Sequence, residues 1–348
     1  MRKIFFTLVS LFWSYLIFIL PFNILNHLMV GTSIFSISSF VICIIFYVLL
    51  IFFFSKKSQL NFFRVPVYLA IGIGFLSLNI SILAYIIHFI TPLNSFNLGV
   101  LGVTLIILLT LIGSVNGITI KEKELEFISS KIERNYKLIF ISDVHLGSNS
   151  AKYLKEIIKI IKRTKYDALI IGGDLVDSSS FNIDNFKMFK TLKKKILYVT
   201  GNHEFYLNNS EKIFKSLVSN NIQIIDNKKI QIDDINVIGI GDNTSYKDRS
   251  ILISKLNMKE KFNILVSHKP IFWDESHDKI DLMLSGHTHN GQIFPFNFLV
   301  KIKFKYIYGI YQKKKSSLYV SSGIGCWGPR MRLGTQNELV SVSVIKEK

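Results

Sequence analysis

The chain has 348 residues, 49% of them hydrophobic, and a formal net charge of +18. That content is too apolar for a single soluble domain, so more than one kind of region is expected. The two cysteines, Cys43 inside an apolar run and Cys326 far beyond it, exclude an intramolecular disulfide framework.

Charge is placed unevenly. Residues 1–120 contain no Asp or Glu and only Arg2, Lys3, Lys56, Lys57 and Arg64 as cations, whereas residues 121–348 hold all 24 acidic residues. The break sets the expected division: a transmembrane region over 1–120 and one α/β domain over 121–348. Four apolar stretches, Ile4 to Phe22, Ile34 to Phe54, Val65 to Ile90 and Phe96 to Ile118, each approach or exceed the ~20 residues that cross a bilayer as a helix. The first has the basic start of a signal peptide, but Pro21 and the residues after it offer no small-residue cleavage site, so it is read as retained. Gly72, Gly74, Gly99, Gly102 and Gly113 suit helix packing or flexibility. His88 near the end of the third span and His27 in a connecting loop are expected to be interfacial rather than ligands. The cations flank the first span, separate the second from the third and follow the fourth. By the positive-inside rule, the amino terminus and the domain are then cytoplasmic, in a multi-pass protein of the cell membrane.

From Ile118 the pattern changes to short strands and amphipathic helices. Strands are predicted over Lys137 to Ser142, Ala168 to Gly172 and Ile196 to Thr200, with helices over Ala151 to Lys162 and Phe186 to Lys195 between them. Further strands are expected at Ile222 to Ile225, Ile235 to Ile240, Asn263 to Ser267, Leu282 to Ser285, Ser317 to Ser321 and Leu339 to Ile345. Fewer helices separate the later runs. That suggests a second, partly antiparallel sheet and a layered α/β/β/α sandwich.

Five apolar runs end in residue types that bind metals: Asp143-Val-His145, Gly173-Asp174-Leu-Val-Asp177, Gly201-Asn202-His203-Glu204, Ser267-His268 and Gly286-His287-Thr288-His289. A carboxylate after two glycines at the end of a buried strand lies where open α/β sheets place their ligands, which makes Asp174 a candidate bridge between two ions. Asp143, His145, Asp174, Asn202, His268, His287 and His289 together suit two divalent ions of the Mn, Fe, Zn or Co type rather than Ca. Such a pair makes hydroxide from water and clamps a phosphoryl group.

In order and spacing these blocks resemble the calcineurin-like metallophosphoesterase superfamily, over most of residues 137–290. The tail from Ser322 to Gly334, with Arg330 and Arg332, is similar to its bacterial membrane-associated branch. The resemblance implies one metal on Asp143, His145, Asp174 and His289 and another on Asp174, Asn202, His268 and His287. It further implies that His203 faces the substrate, supported by Asp177, and either donates a proton to the leaving oxygen or stabilises the phosphoryl charge. A carboxylate neighbour is expected to raise the pKa of that imidazole.

The partners implied are a phosphoester, such as a phospholipid or nucleotide-linked glycolipid, and membrane lipids. Two other readings compete: a membrane sensor or channel whose domain binds a phosphorylated ligand, and a phosphatase or nuclease acting on soluble substrates. The spans hold no acidic residue to line an ion path, and no nucleic-acid-binding module is recognisable, so a nucleic-acid partner is not expected. The stretch Ile293 to Tyr311 alternates aromatics with Lys301, Lys303 and Lys305. It reads either as a hairpin packed on the sheet or as a lipid-facing loop beside the metals.

Overall fold

The computed structural model describes residues 2–55, 63–254 and 261–348. The chain divides into two compact units, 1–115 with 328–333, and 116–327 with 334–348.

In the first unit, four helices are long and apolar enough to cross a membrane: Thr7–Val30, Ile37–Phe54, Arg64–Ile90 and Ser95–Asn116. The first runs past Pro21 instead of ending near it. A π-helical segment, Tyr15–Ile19, precedes Leu20–Val30, and Pro21 sits in the first turn of that last segment, where its missing N–H is tolerated. His27 therefore lies in a helix and not in a connecting loop. Gly74 shows why small residues recur here: a Cβ would stand 2.4 Å from the Ile17 side chain of the first helix. Two of the cations used to orient the spans, Lys56 and Lys57, lie outside the described residues.

The second unit is built on two six-stranded sheets. The first has the order β1 (Ile120–Ser129), β12 (Asn337–Lys346), β2 (Tyr136–Ile141), β3 (Ala168–Gly172), β4 (Lys195–Val199) and β5 (Ile222–Ile224). The second has the order β10 (Gly309–Lys313), β11 (Ser316–Val320), β9 (Leu282–Ser285), β8 (Phe262–Ser267), β7 (Ile235–Ile240) and β6 (Lys228–Ile232). Strands β2 to β5 are mutually parallel, as are β7, β8, β9 and β11. Alternation sorts their side chains into layers. Ile139 and Ile141 of β2 meet the Ala151–Arg163 helix through Leu154 and Ile157, while Leu138 and Phe140 face the other way, into a core with Val237, Ile264 and Leu284 of the second sheet. Trp273, Phe272 and Tyr306 cover the outer face of that sheet through Leu265 and Met283. The result is an α/β sandwich of helix, sheet, sheet and outer helical cover.

Several elements differ from expectation, the unforeseen edge strand β6 among them. The segment around Phe186 is a 3-10 helix, Ile183–Thr191, and stops before Lys195, which begins β4. Strand β1 was not anticipated because its Lys-Glu-Lys-Glu run lacks a buried period; it pairs in parallel with β12 and buries only Leu125 and Ser129. The Ile293 to Tyr311 stretch is no hairpin through Val300: the Phe304 amide donates to the Val300 carbonyl, closing the helix Phe296–Lys303, and only Gly309–Lys313 is a strand.

Candidate metal centre

Each motif residue follows the carboxyl end of a parallel strand. Asp143 and His145 come after β2, Asp174 after β3, Asn202 and His203 after β4, His268 after β8, and His287 with His289 after β9. Five of them hold left-handed backbone, with φ of 55° at Asp143, 49° at His145, 51° at Asp174, 71° at His287 and 49° at His289. Such a conformation costs a non-glycine residue on the order of 1–3 kcal/mol and clusters at functional sites. It is held here by ladder-like bonds between the loops: Asp143 N–H donates to Gly173 O at 3.0 Å, His145 N–H to Asp174 O at 3.0 Å and His287 N–H to Asp143 Oδ2 at 3.0 Å.

The side chains converge in three groups, one of which, with ligand atoms of His145, Asp174 and His203 within 4.8 Å of one another, overlaps the other two. Ligand atoms of Asp143, His145 and His289 lie within 4.8 Å of one another, as do those of Asp174, His268 and His287. His145 Nε2 and His289 Nε2 face each other at 3.1 Å, and His287 Nδ1 faces His268 Nε2 at 3.2 Å. Asp174 Oδ2 lies 3.0 Å from His268 Nε2 and 3.8 Å from His145 Nε2, so one carboxylate oxygen reaches both groups. Asn202 Oδ1 is buried beside them with no hydrogen-bond partner. A buried acceptor left unpaired and nitrogens aimed at each other are costly unless a cation is shared among them, so the residues fit divalent metals. His268 Nδ1 donates to Gly172 O at 2.8 Å, which turns Nε2 toward Asp174 and His287 as the nitrogen a metal would take once its proton is displaced.

The charges fit the same reading. Burial disfavours a charged His145, yet Asp143, Asp177 and Asp174 outweigh it and raise its pKa to about 10. His268 is raised to about 10 against the same burial, by Asp174 and Asp143. Burial pushes the Asp143 carboxyl up, but His289 and His268 hold it well below its ordinary value. His287, desolvated and next to His268, falls to about 3 and stays a neutral imidazole. The cluster thus carries protons that a metal ion would displace.

Two expectations about the substrate side change. Asp177 does not support His203 by a direct bond: its Oδ2 lies 3.5 Å from His145 Nδ1, and its Oδ1 accepts the Ser148 N–H at 2.9 Å. The i, i+3 step from Asp174 carries it back across the β2 loop, behind His145. His203 is only 18% exposed at its side chain, with Nε2 3.9 Å from Asp174 Oδ2. Its burial outweighs the nearby carboxylate and lowers its pKa instead of raising it.

Glu204 stood in the motif without a role. It is fully buried, and its carboxylate accepts the amides of Gly201 at 2.9 Å, Val176 at 3.0 Å and Asp174 at 3.3 Å, tying the β3 loop to the β4 loop. Burial and the Asp174 charge push its pKa up to about 7. Its position three residues after Gly201, at the start of a helix, is the capping pattern that could have revealed it. Trp327, whose ring stands 5.7 Å from that of His203, lies in the Ser322 to Gly334 tail that the sequence singled out, but had no role there.

Residues 136–291 match the family model for calcineurin-like phosphoesterases. An uncharacterized metallophosphoesterase of Helicobacter pylori is 34% identical over 239 residues, which cover 65% of this chain and 64% of the relative. One from Campylobacter jejuni is 32% identical, covering 62% of this chain and 61% of its own length. A cattle protein described as a transmembrane protein with metallophosphoesterase domain is 28% identical, covering 59% of this chain and 52% of its own. The chain thus spans less than two thirds of the length of these relatives. The strand-end geometry, the metal-fitting cluster and the family match agree on one assignment: residues 136–291 form a calcineurin-like metallophosphoesterase domain.

Proposed function

We propose that this chain is a membrane-anchored phosphoester hydrolase that works with two divalent metal ions. Asp143, His145, Asp174 and His289 would hold one ion, and Asp174, Asn202, His268 and His287 the other. When bound, such ions supply Lewis-acid chemistry, lowering the pKa of water and neutralising phosphoryl charge. The observation that carries the proposal is the pair of opposed histidines, His145 with His289 and His268 with His287, spanned by Asp174.

The protein's own groups divide the remaining work. Glu204 and the loop-to-loop amide bonds keep the ligands in their left-handed conformations. Asp177, held by the Ser148 amide and hydroxyl, sets its charge 3.5 Å behind His145 Nδ1 and favours the ring orientation that turns Nε2 inward. His203, partly open to solvent, hydrogen-bonds a phosphoryl oxygen or the leaving oxygen; an incoming anion raises its depressed pKa and turns it into a proton donor. The four apolar helices favour a lipid-linked phosphoester, a phospholipid or nucleotide-linked glycolipid, met by a domain on the cytoplasmic side of a multi-pass anchor.

Protein stripped of metal with a chelator and then reloaded with Mn, Fe, Zn or Co tests the proposal on soluble aryl phosphomonoesters and phosphodiesters. Turnover should vanish on stripping and return with at least one metal. Unchanged turnover in the stripped protein would contradict it.

A further inference from the structure

The segment after the last ligand pair is unused by the hydrolytic reading, and the family match ends before it, at 291. The chain leaves the sheet after Ser285 and rejoins it at Gly309, and within this excursion the Ile307 carbonyl accepts a hydrogen bond from Thr288 Oγ1 at 2.6 Å. The two ends of the excursion are therefore pinned together beside His287 and His289. At its tip lies the helix Phe296–Lys303, none of whose residues is buried. Phe298, Leu299 and Ile302 are 56%, 53% and 82% exposed, and Phe294, edge-on to Phe298 at 5.7 Å, is 50% exposed. At about 100° per residue, Phe298, Ile302 and Leu299 share one arc of the helix, with Lys301 at one border and Lys303 at the other. Single exposed apolar residues are ordinary, but four in one patch on a short element mark an interaction surface.

Charge selects the partner. Lys305, Lys313 and Lys314 are ion-paired with Asp274 and Asp278, whereas Lys301 and Lys303 on the helix are exposed and no acidic residue lies between Asp281 and Glu338 in the sequence to oppose them. An arc of Phe, Leu and Ile bordered by lysines suits the layer where acyl chains meet anionic headgroups. The same chain carries four helices long enough to span a bilayer, so such a surface is always at hand. We propose that the helix Phe296–Lys303 lies in the interface of an anionic bilayer, with Phe294, Phe298, Leu299 and Ile302 among the upper acyl chains and Lys301 and Lys303 at the phosphates.

The ends of the excursion touch the metal centre. Phe304 meets the His287 ring at 5.1 Å, and the Gln292 side chain exchanges two hydrogen bonds with the backbone of Trp327, the neighbour of His203. On the hydrolase reading above, on which this consequence rests, a helix so seated brings the metal ligands to headgroup level, where the phosphoester of a membrane lipid lies. The docking itself is tested without reference to activity.

The full chain, with Cys43 and Cys326 replaced by Ser, receives one cysteine by Ile302→Cys, Phe298→Cys or, as a control on an exposed helix, Val218→Cys. Each variant is labelled with an environment-sensitive dye and reconstituted in phosphatidylglycerol–phosphatidylcholine vesicles. At 302 and 298, lipid-borne quenchers should act at least about twofold more strongly than at 218, and aqueous iodide correspondingly less. The difference should shrink in pure phosphatidylcholine and in the Lys301→Glu/Lys303→Glu background. Equal iodide quenching at all three positions would overturn the proposal. So would dye–dye contact at 298 between copies without lipid quenching, which would assign the face to a second copy of the chain.

Discussion

Asp143, His145, Asp174 and His268 are at most 2% exposed on the ends of buried strands, whereas the Phe296–Lys303 helix, only a few residues past His289, buries none of its residues. The first group is over-determined. Main-chain bonds tie the β2 loop to the β3 loop and the β8 loop to the β9 loop, and the Glu204 carboxylate, which fastens three amides, ties the β4 loop to the β3 loop. The helix is pinned at the ends of its excursion, through Thr288 and Ile307. On the proposed reading the contrast separates two tasks: a floor that would hold metal demands positions fixed against backbone strain, while a rim that would meet a bilayer keeps its apolar surface outside the core.

Substitutions on the floor should therefore act on chemistry in graded ways. His203→Ala is expected to lower kcat on an aryl phosphoester roughly 10²- to 10⁴-fold, the range for a lost proton donor, while metal content measured by emission spectrometry stays at the wild-type level. Full kcat on a substrate with a poor leaving group would remove His203 from the reaction. Asp177→Asn comes next. Because Asp177 stands 3.5 Å behind His145, a ligand in the proposed centre, its loss should weaken metal affinity or activity about 10- to 100-fold, and the drop in affinity should show in a metal titration. An effect on kcat alone, with affinity untouched, would return Asp177 to the substrate side through His203.

Much of this floor was legible in the sequence. Short apolar runs ending in Asp, His and Gly-Asn-His announce strand ends with ligands, and strands β3, β7 and β9 begin and end where the apolar run does, because strands buried on both faces are continuous in Val, Ile and Leu. The partner of Asp177 was not legible. Three residues of spacing cannot say which of two neighbouring histidines a side chain meets, and that was settled by the crossing of the β2 and β3 loops. Nor was the pKa of His203, since a nearby carboxylate and the loss of water pull in opposite directions and only the depth of burial decides between them. The rim misled for a different reason. Val300-Lys-Ile-Lys-Phe-Lys alternates as a strand does, but Phe298, Leu299 and Ile302 also satisfy a helical arc, and without a core to face neither period had an advantage.

The account rests on one carboxylate serving two ions. Metal analysis of purified Asp174→Asn beside the wild type addresses it directly, with circular dichroism to establish that the variant is folded. Wild type should hold two divalent ions per chain, and the folded variant should lose both, because Asp174 Oδ2 is the oxygen within reach of the His268 and His145 groups alike. Two ions retained by folded Asp174→Asn would contradict the bridging role and, with it, the proposed metal centre.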